Sequence, residues 1–447
     1  MPGHPPFRSK IAGWGRYPVV DGLVLTSESL AAATETASLS RGLGRSYGDS
    51  SLPARPDVPV ADTTLADRLL HFDRTTGLLT AEAGVSLLEL NRVFLRQGWF
   101  VPVSPGTQFV TVGGMVASDV HGKNHHVDGC FGEHVESIKL RVADGRIIEC
   151  SDSVEPDLFR ATIGGMGLTG HILEVTFRMR QIPSPWIWGE SERIDDLDTM
   201  VAGLKKAAQA WPMTVGWVDC LARGRKLGRG ILMKGRWATR EEAPAKAPPL
   251  KRRFRIPFEF PRLALCRPSM KAFNLAYYWK HFQRIKQGIV HPDAFFYPLD
   301  MVDDWNLIYG RRGFTQYQCV LPHADDNGPA RRFLEAFVAG GGMGFLCVIK
   351  DCGPEGKGLL SFPRPGMSIA MDFPIHSRKT PVLIDRLNEL VIAEGGRIYL
   401  TKDTFTKAEH FQAMEPRLEA FNGVRRKWDP DGRIRSAQSV RLLGDVA

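Results

Sequence analysis

Residues 105–126 read PGTQFVTVGGMVASDVHGKNHH, and they set Asp119, His121, Lys123, Asn124, His125 and His126 directly behind two glycine-bearing turns. The turns are Pro105-Gly106-Thr107 and Val112-Gly113-Gly114, and small Ala117 and Ser118 follow. Glycine lets backbone approach a ligand closely and supplies positive φ, and clustered N–H groups in turns make concavities that accept anions. Such a segment suits a ligand-binding loop better than a core. The His121/His125 spacing matches a metal pair on a helix. Gly122 between them, and the lack of a nearby carboxylate or cysteine beyond Asp119, argue against a metal site.

Two further glycine-rich stretches could hold phosphate. RGLGRSYGDSS at 41–51 alternates Gly42, Gly44 and Gly48 with Arg41, Leu43, Arg45, Ser46 and Tyr47. It reads equally as a pyrophosphate-binding loop and as an ordinary turn. GGMGLTG at 164–170 contains a formal GxGxxG. A helical Pro156–Ala161 precedes it and an alternating strand with Leu173, Val175 and Phe177 follows, so the strand-to-helix context of a dinucleotide fold is missing. A ribose- or phosphate-contacting turn and a plain tight turn both stay open there. Late in the chain, alternation in QYQCV puts Gln316 and Gln318 on one strand face, where paired amides can hydrogen-bond a polyol. RIYLTKDTFT (397–406) reads as a strand ending at Lys402-Asp403.

The elements that must position these groups are α+β in character. Ser86 to Glu89 is a capping box opening a helix that Gly98 ends. Ile138, Leu140 and Val142 alternate with Lys139 and Arg141 before an Asp144-Gly145 turn, a hairpin signature. Strands are expected at Leu78–Ala81, Tyr317–Leu321, Phe345–Lys350 and Ser368–Phe373, with a helix from Val382 to Glu394. Beyond Ile182-Pro183 the glycine-loop chemistry stops and tryptophans cluster at 186, 188, 211 and 217, which places a domain boundary near 182.

A chain of 447 residues exceeds what one core normally serves, so two domains are expected. The formal charge of +9 favours anionic partners such as phosphates or phospholipid head groups. The seven cysteines are scattered without CxxC pairs, so neither a disulfide framework nor a zinc site is indicated and most are expected to be neutral, buried thiols. No run approaches the ~18–20 apolar residues of a membrane span, and the N-terminus lacks an apolar signal region. The expected place is the cytoplasm, peripheral at the inner membrane. Residues 241–268 mix Lys251, Arg252, Arg253 and Arg255 with Phe254, Phe258 and Phe260, a composition that suits a loop on an anionic membrane and equally a solvated loop.

Taken together, RGLGRSYGDS, PGTQFVTVGGMVASDVHGKNHH, FGEHV, ATIGGMGLTG, FYPLDM, TQYQCVLP, RIYLTKD and VRRKWDP resemble the decaprenylphosphoryl-β-D-ribose 2′-oxidase family, a branch of the vanillyl-alcohol-oxidase-like FAD oxidoreductases. The resemblance runs in order along nearly the whole chain and is weakest between about 190 and 290. It implies an α+β, PCMH-type FAD fold: an FAD domain of residues 1–182 plus 397–447, with a substrate domain of residues 183–396 built on an antiparallel sheet. It implies that Arg41, Gly42, Leu43, Gly44, Arg45, Ser46, Tyr47, Pro105, Gly106, Thr107, Val112, Gly113 and Gly114 hold the FAD pyrophosphate. Ser118, Asp119, His121, Gly122, Asn124 and His125 would flank the flavin and ribityl chain, Gly167 and Gly170 would reach the nucleotide half, and Ile172, Tyr399 and Lys402 would also contact the cofactor. Many relatives attach flavin to a histidine of the first glycine loop; this chain has Ser46-Tyr47 there, so dissociable, non-covalent FAD is expected.

On the substrate side the resemblance implies His121, Lys123, Gln316, Gln318, Lys350, Ser368, Ala370 and Lys402, with Lys402, Tyr47 and His121 catalytic. Lys402 would either assist deprotonation of the sugar hydroxyl or polarise the developing oxygen. Mycobacterial members carry a cysteine where this chain has Ala370; that cysteine is the attack point of covalent nitroaromatic inhibitors and is not needed for hydride transfer. The implied reaction is oxidation of the 2′-hydroxyl of a polyprenyl-phosphoryl ribofuranose, with a short-chain-dehydrogenase-type reductase as partner and quinone or oxygen as electron acceptor. The rival readings are a soluble FAD-dependent alditol or sugar-lactone oxidase, and a colourless polyanion-binding protein.

Overall fold

A computed structural model describes residues 5–261, 265–324, 326–376 and 378–446. Three sheets carry the architecture. A four-stranded sheet runs Phe7–Ala12, Val19–Thr26, Pro59–Asp62, Leu39–Arg41, its last two pairings parallel. An antiparallel five-stranded sheet follows in the order Leu69–Asp73, Leu78–Glu82, His171–Arg178, Val135–Arg141, Ile147–Ser151. The third is an eight-stranded antiparallel sheet: Ile285–Val290, Ile187–Ile194, Gly230–Trp237, Met213–Val218, Cys347–Cys352, Gly366–Pro374, Phe314–Leu321 and Arg397–Ile398.

Local chemistry accounts for the early elements. Ser86 and Glu89 form a reciprocal capping box on the helix Leu87–Phe94, whose Leu87, Leu90 and Phe94 face the core. A 3₁₀ turn, Leu95–Gln97, carries it on to Gly98, which closes it at φ 81°. In Val135–Arg141 the residues Val135, Ile138 and Leu140 are buried while Glu136 and Lys139 are exposed, the two-residue period of a half-buried strand. The core beneath the eight-stranded sheet takes Tyr317, Cys319, Leu321, Ile369, Met371 and Ile349 together with apolar residues of the helices Leu197–Ala208, Gly328–Ala339 and Lys379–Ala393. Residues alternating with these, Gln316, Gln318, Ala370, Val348 and Lys350, look the other way, into a large cavity.

Several expectations change. Val112-Gly113-Gly114 is not a turn but the start of a helix, Val112–Ala117, capped by the Thr111 side chain. Residues 397–406 do not form a continuous strand: only Arg397–Ile398 pairs with the Gln318 strand, and a 3₁₀ turn over Leu400–Lys402 follows. The Tyr399 N–H donating to Gln318 O and the Lys402 N–H donating to Tyr399 O bend the chain off the sheet edge. The strand expected over 345–350 lies at Cys347–Cys352, and the helix expected from Val382 begins at Lys379. Of the basic segment 241–268, residues 262–264 lie outside the described residues, Phe254–Arg255 pairs in parallel with Val302–Asp303, and a helix begins at Arg267.

Candidate active site

A cavity of about 1400 Å³ runs between the glycine loops and the open face of the eight-stranded sheet. Gly42, Leu43, Gly44, Arg45, Ser46 and Tyr47 line one end, where the loop leaves the strand Leu39–Arg41. The backbone N–H groups of residues 42–46 meet no acceptor among the described residues. Tyr47 ends that free run by donating its N–H to Thr401 O at 2.9 Å. Arg45 lies over the Trp14 ring at 3.9 Å, with its Nε unpartnered, and buried Ser50 Oγ is also unpartnered. Gly106 and Gly167 line the same space, and a Cβ built on either would meet no protein atom within 4 Å. Their bareness leaves room for a ligand, not for packing. Unpaired amides, an arginine and two bare glycines along one wall suit an extended, phosphate-bearing ligand.

The other predicted contact to phosphate is not available in that form. The N–H groups of Val112, Gly113 and Gly114 are taken by Val85 O, Ala83 O and Thr111 Oγ1. Gly113 and Gly114 border the cavity, while Val112 is buried in the core. Arg41 also does not line the cavity: its guanidinium donates to Ser51 Oγ and Ala12 O, tying down the base of the loop.

Of the polar run, Ser118, His121, Gly122 and Lys123 line the cavity, whereas Asp119, Asn124 and His125 do not. Asp119, at φ 37°, accepts from Gly132 N–H at 2.8 Å and from Ser361 Oγ, and burial pushes its carboxyl up to about 6. Asn124 donates to Pro102 O at 2.7 Å, and His125 Nδ1 accepts from Gly353 N–H at 3.0 Å. These three brace the wall from behind. Pro105, Thr107, Gly170, Ile172 and Tyr399 line the cavity; the Tyr399 hydroxyl donates to Ser118 O at 2.8 Å.

At the sheet end, His121 sits between Lys350, whose Nζ is 2.9 Å from Nδ1, and Gln318, whose side-chain amide is 3.1 Å from Nε2. Burial first, then Lys350, His125 and Lys402, hold the imidazole well below its ordinary pKa, so the ring is neutral at pH 7. A neutral ring accepts at one nitrogen and donates at the other. The Gln318 side-chain nitrogen faces Nε2 and also donates to Ser368 Oγ, so the tautomer decides whether the ring accepts from Gln318 or from Lys350. Ser368 stays out of the cavity and holds Gln318 at 3.2 Å. Burial drops Lys123 to about 7 and lowers Lys350 as well. Lys402 Nζ stands 4.1 Å from the Tyr47 ring centroid; burial lowers its pKa, Asp372 opposes that, and Lys350 adds to it. Three half-buried lysines, a neutral imidazole, a phenol and two amides can hold an anionic, hydroxyl-rich molecule and move one proton.

Sequence reading missed Trp14, Asp300 and Asp372. Trp14 lies far upstream in an unremarkable GWG. Asp300 lines the cavity and accepts from Gln108 N–H at 2.7 Å, within a FYPLDM motif that gave no local reason to single it out. Among the described residues no group of three or more His, Cys, Asp or Glu could hold a metal ion.

Fold and site define an FAD-binding oxidoreductase: residues 26–151 match the FAD binding domain family. Over 462 aligned residues the chain is 34% identical to the decaprenylphosphoryl-β-D-ribose oxidase of Mycolicibacterium smegmatis, covering 98% of each. Shorter similarities reach a putative D-arabinono-1,4-lactone oxidase of Neurospora crassa, 28% identical over 39% of this chain and 33% of that one, and the L-gulonolactone oxidase of Mus musculus, 33% over 25% of each. The chain belongs to the decaprenylphosphoryl-β-D-ribose oxidase family and is an FAD-dependent oxidoreductase with an α+β, two-domain fold. The free amides of 42–46 and the bare Gly106 and Gly167 fit that cofactor.

Proposed function

We propose that the protein oxidises the 2′-hydroxyl of a polyprenyl-phosphoryl-β-D-ribofuranose to the 2′-ketone, the first half of an epimerisation to the arabinose donor. FAD, when bound, supplies the hydride acceptor that no amino-acid side chain can provide. What carries the reading is the cluster of Lys402, His121, Lys350, Gln316 and Gln318 facing one cavity with the glycine loops. The C2–H electron pair leaves as hydride and the hydroxyl proton passes to Lys402, whose burial favours the neutral amine. Neutral His121 and Tyr47 orient the sugar, and Gln316 and Gln318 hold its other hydroxyls. Lys123 and Lys350 face the lipid phosphate, and Ala370 borders the ring. On this reading Arg41 and Val112 act on FAD only by shaping its loops, as Asp119, Asn124 and His125 do from behind the wall.

The same reading divides the chain into an FAD domain of 1–182 and 397–447 around a substrate domain of 183–396, and takes FAD to be bound non-covalently, so acid precipitation should release all flavin into the supernatant. It implies a reductase of the short-chain type to consume the 2-keto product. It also implies an anionic membrane as the source of substrate: exposed Phe254 and Phe258 lie beside Lys251, Arg253 and Arg255 at the cavity rim, a pairing that suits a lipid surface. No helix among the described residues is long and apolar enough to cross a membrane. The similarity to lactone oxidases covers only a quarter to two-fifths of the chain, so the lipid-linked sugar is the favoured substrate over a free alditol or lactone. Anaerobic mixing of holoenzyme with each candidate tests this. Flavin bleaching by the polyprenyl-phosphoryl ribose and not by free alditols or lactones is expected, and the reverse pattern overturns the assignment.

A further inference from the structure

Asp372 lies on the strand Gly366–Pro374, directly across from Gln316 on Phe314–Leu321. It is fully buried and does not line the cavity. Its Oδ1 accepts from Gln316 Nε2, and that same Nε2 is 3.3 Å from the Tyr47 hydroxyl. Its Oδ2 has no hydrogen-bond partner. Tyr47 in turn carries Lys402 Nζ over its ring. A buried carboxylate is costly unless hydrogen-bonded or faced by a cation, and one half of this one is left open; the cation that acts on it is Lys402, while Arg45 acts on Tyr47. No carboxylate lies within ion-pair distance of Lys402 among the described residues.

We propose that Asp372 is a positioning residue for the oxidation: it fixes the Gln316 amide, and through it the Tyr47 hydroxyl, and serves as the buried counter-charge of Lys402. This rests on the role given to Lys402 above. The groups facing Asp372 are Gln316 and Lys402, with Tyr47 from the first glycine loop, Tyr309 from the turn Trp305–Tyr309 and Cys347 from the neighbouring strand. Lys402 also faces Lys350 and, across the cavity, His121. Tyr47, Tyr309 and Cys347 are all held protonated by burial at neutral pH, so none of them supplies a competing charge. Burial pushes the Asp372 carboxyl up to about 7, with Gln316 and Lys402 opposing, so it is charged above that pH; there a carboxylate near an ammonium favours the charged form, and removing it leaves Lys402 neutral down to lower pH.

The test compares Asp372→Asn, which keeps an acceptor for Gln316 but no charge, with Asp372→Ala, which keeps neither. Both are read as FAD-loaded protein with the flavin spectrum checked first. In Asp372→Asn, the pH midpoint for acetylation of Lys402 by acetic anhydride, followed by mass spectrometry, should fall by about one unit. This readout needs no substrate, so it stands apart from the assignment of the reaction. The acid limb of kcat/KM should fall with it. Asp372→Ala should in addition lose kcat by about a hundredfold, with KM changed less than threefold. Unchanged midpoints in Asp372→Asn overturn the proposal, whatever becomes of Asp372→Ala. A loss in Asp372→Ala that lies wholly in KM overturns the positioning role.

Discussion

The two ends of the cavity are made of different materials. At the glycine-loop end, the groups that fit FAD are the free backbone amides of residues 42–46, in a loop whose Gly42 and Gly44 pack too closely against Thr111 and Arg41 to carry a side chain. At the sheet end, the groups proposed for a sugar phosphate are side chains, several of them on strands: Gln316 and Gln318 on one, Lys350 on another, with His121 held between Gln318 and Lys350. Backbone donors survive most substitutions of their own residue but not the addition of bulk. Side-chain donors behave in the opposite way, so the two ends should fail differently.

The largest effect is expected at the sheet end. Lys402→Ala should cut the rate of anaerobic flavin reduction by about a thousandfold while the protein stays yellow; a variant of full activity removes Lys402 from the mechanism. Gly106→Val, at the other end, should weaken FAD binding by about ten- to a hundredfold because the side chain enters ligand space and meets no protein atom. The melting temperature of its apo form should stay close to the parent's, and an apo protein that is itself destabilised would mean that Gly106 serves packing. Gln318→Ala leaves one nitrogen of His121 without its partner, and should cost about tenfold in kcat/KM with FAD affinity unaffected.

A smaller effect separates the lysines by pH. The unfolded chain holds the Lys123 proton up to its ordinary value of 10.5, whereas the folded chain releases it at about 7. Between those values the unfolded state binds more protons, so apo-protein stability contributed by this site rises with pH. Urea titrations of Lys123→Met against the parent should show that slope flattened in the variant. The smallest change is Ala370→Cys: the parent should resist time-dependent inactivation by nitroaromatic compounds, and the variant should acquire it, because residue 370 borders the cavity beside Lys350 and Gln318.

Much of this contrast was legible in the sequence, and the rest was hidden for identifiable reasons. The capping box at Ser86, the hairpin at Asp144-Gly145 and the alternation around Gln316 are local signals, and local signals survive folding. The first glycine loop was readable because its residues act where they stand. Val112–Gly114 was misread because glycines at a helix start look like glycines in a turn; only the Thr111 cap and the carbonyls of Val85 and Ala83 distinguish them. Asp119, Asn124 and His125 look chemical in sequence, yet their partners, Ser361, Pro102 and Gly353, turn them away from the cavity. Asp372 was seen in a strand and given no task, since its task depends on cross-strand pairing with Gln316.

One hydrogen bond ties the beginning of the chain to its end. Tyr47 N–H, in the first glycine loop, is capped by the carbonyl of Thr401, and Gln438 holds Leu400 O from the last helix, Ala437–Leu443. The first glycine loop is therefore fastened by the far end of the chain: a truncation before residue 397 removes the Thr401 carbonyl that holds Tyr47 N–H and, with it, Lys402 from the cavity wall.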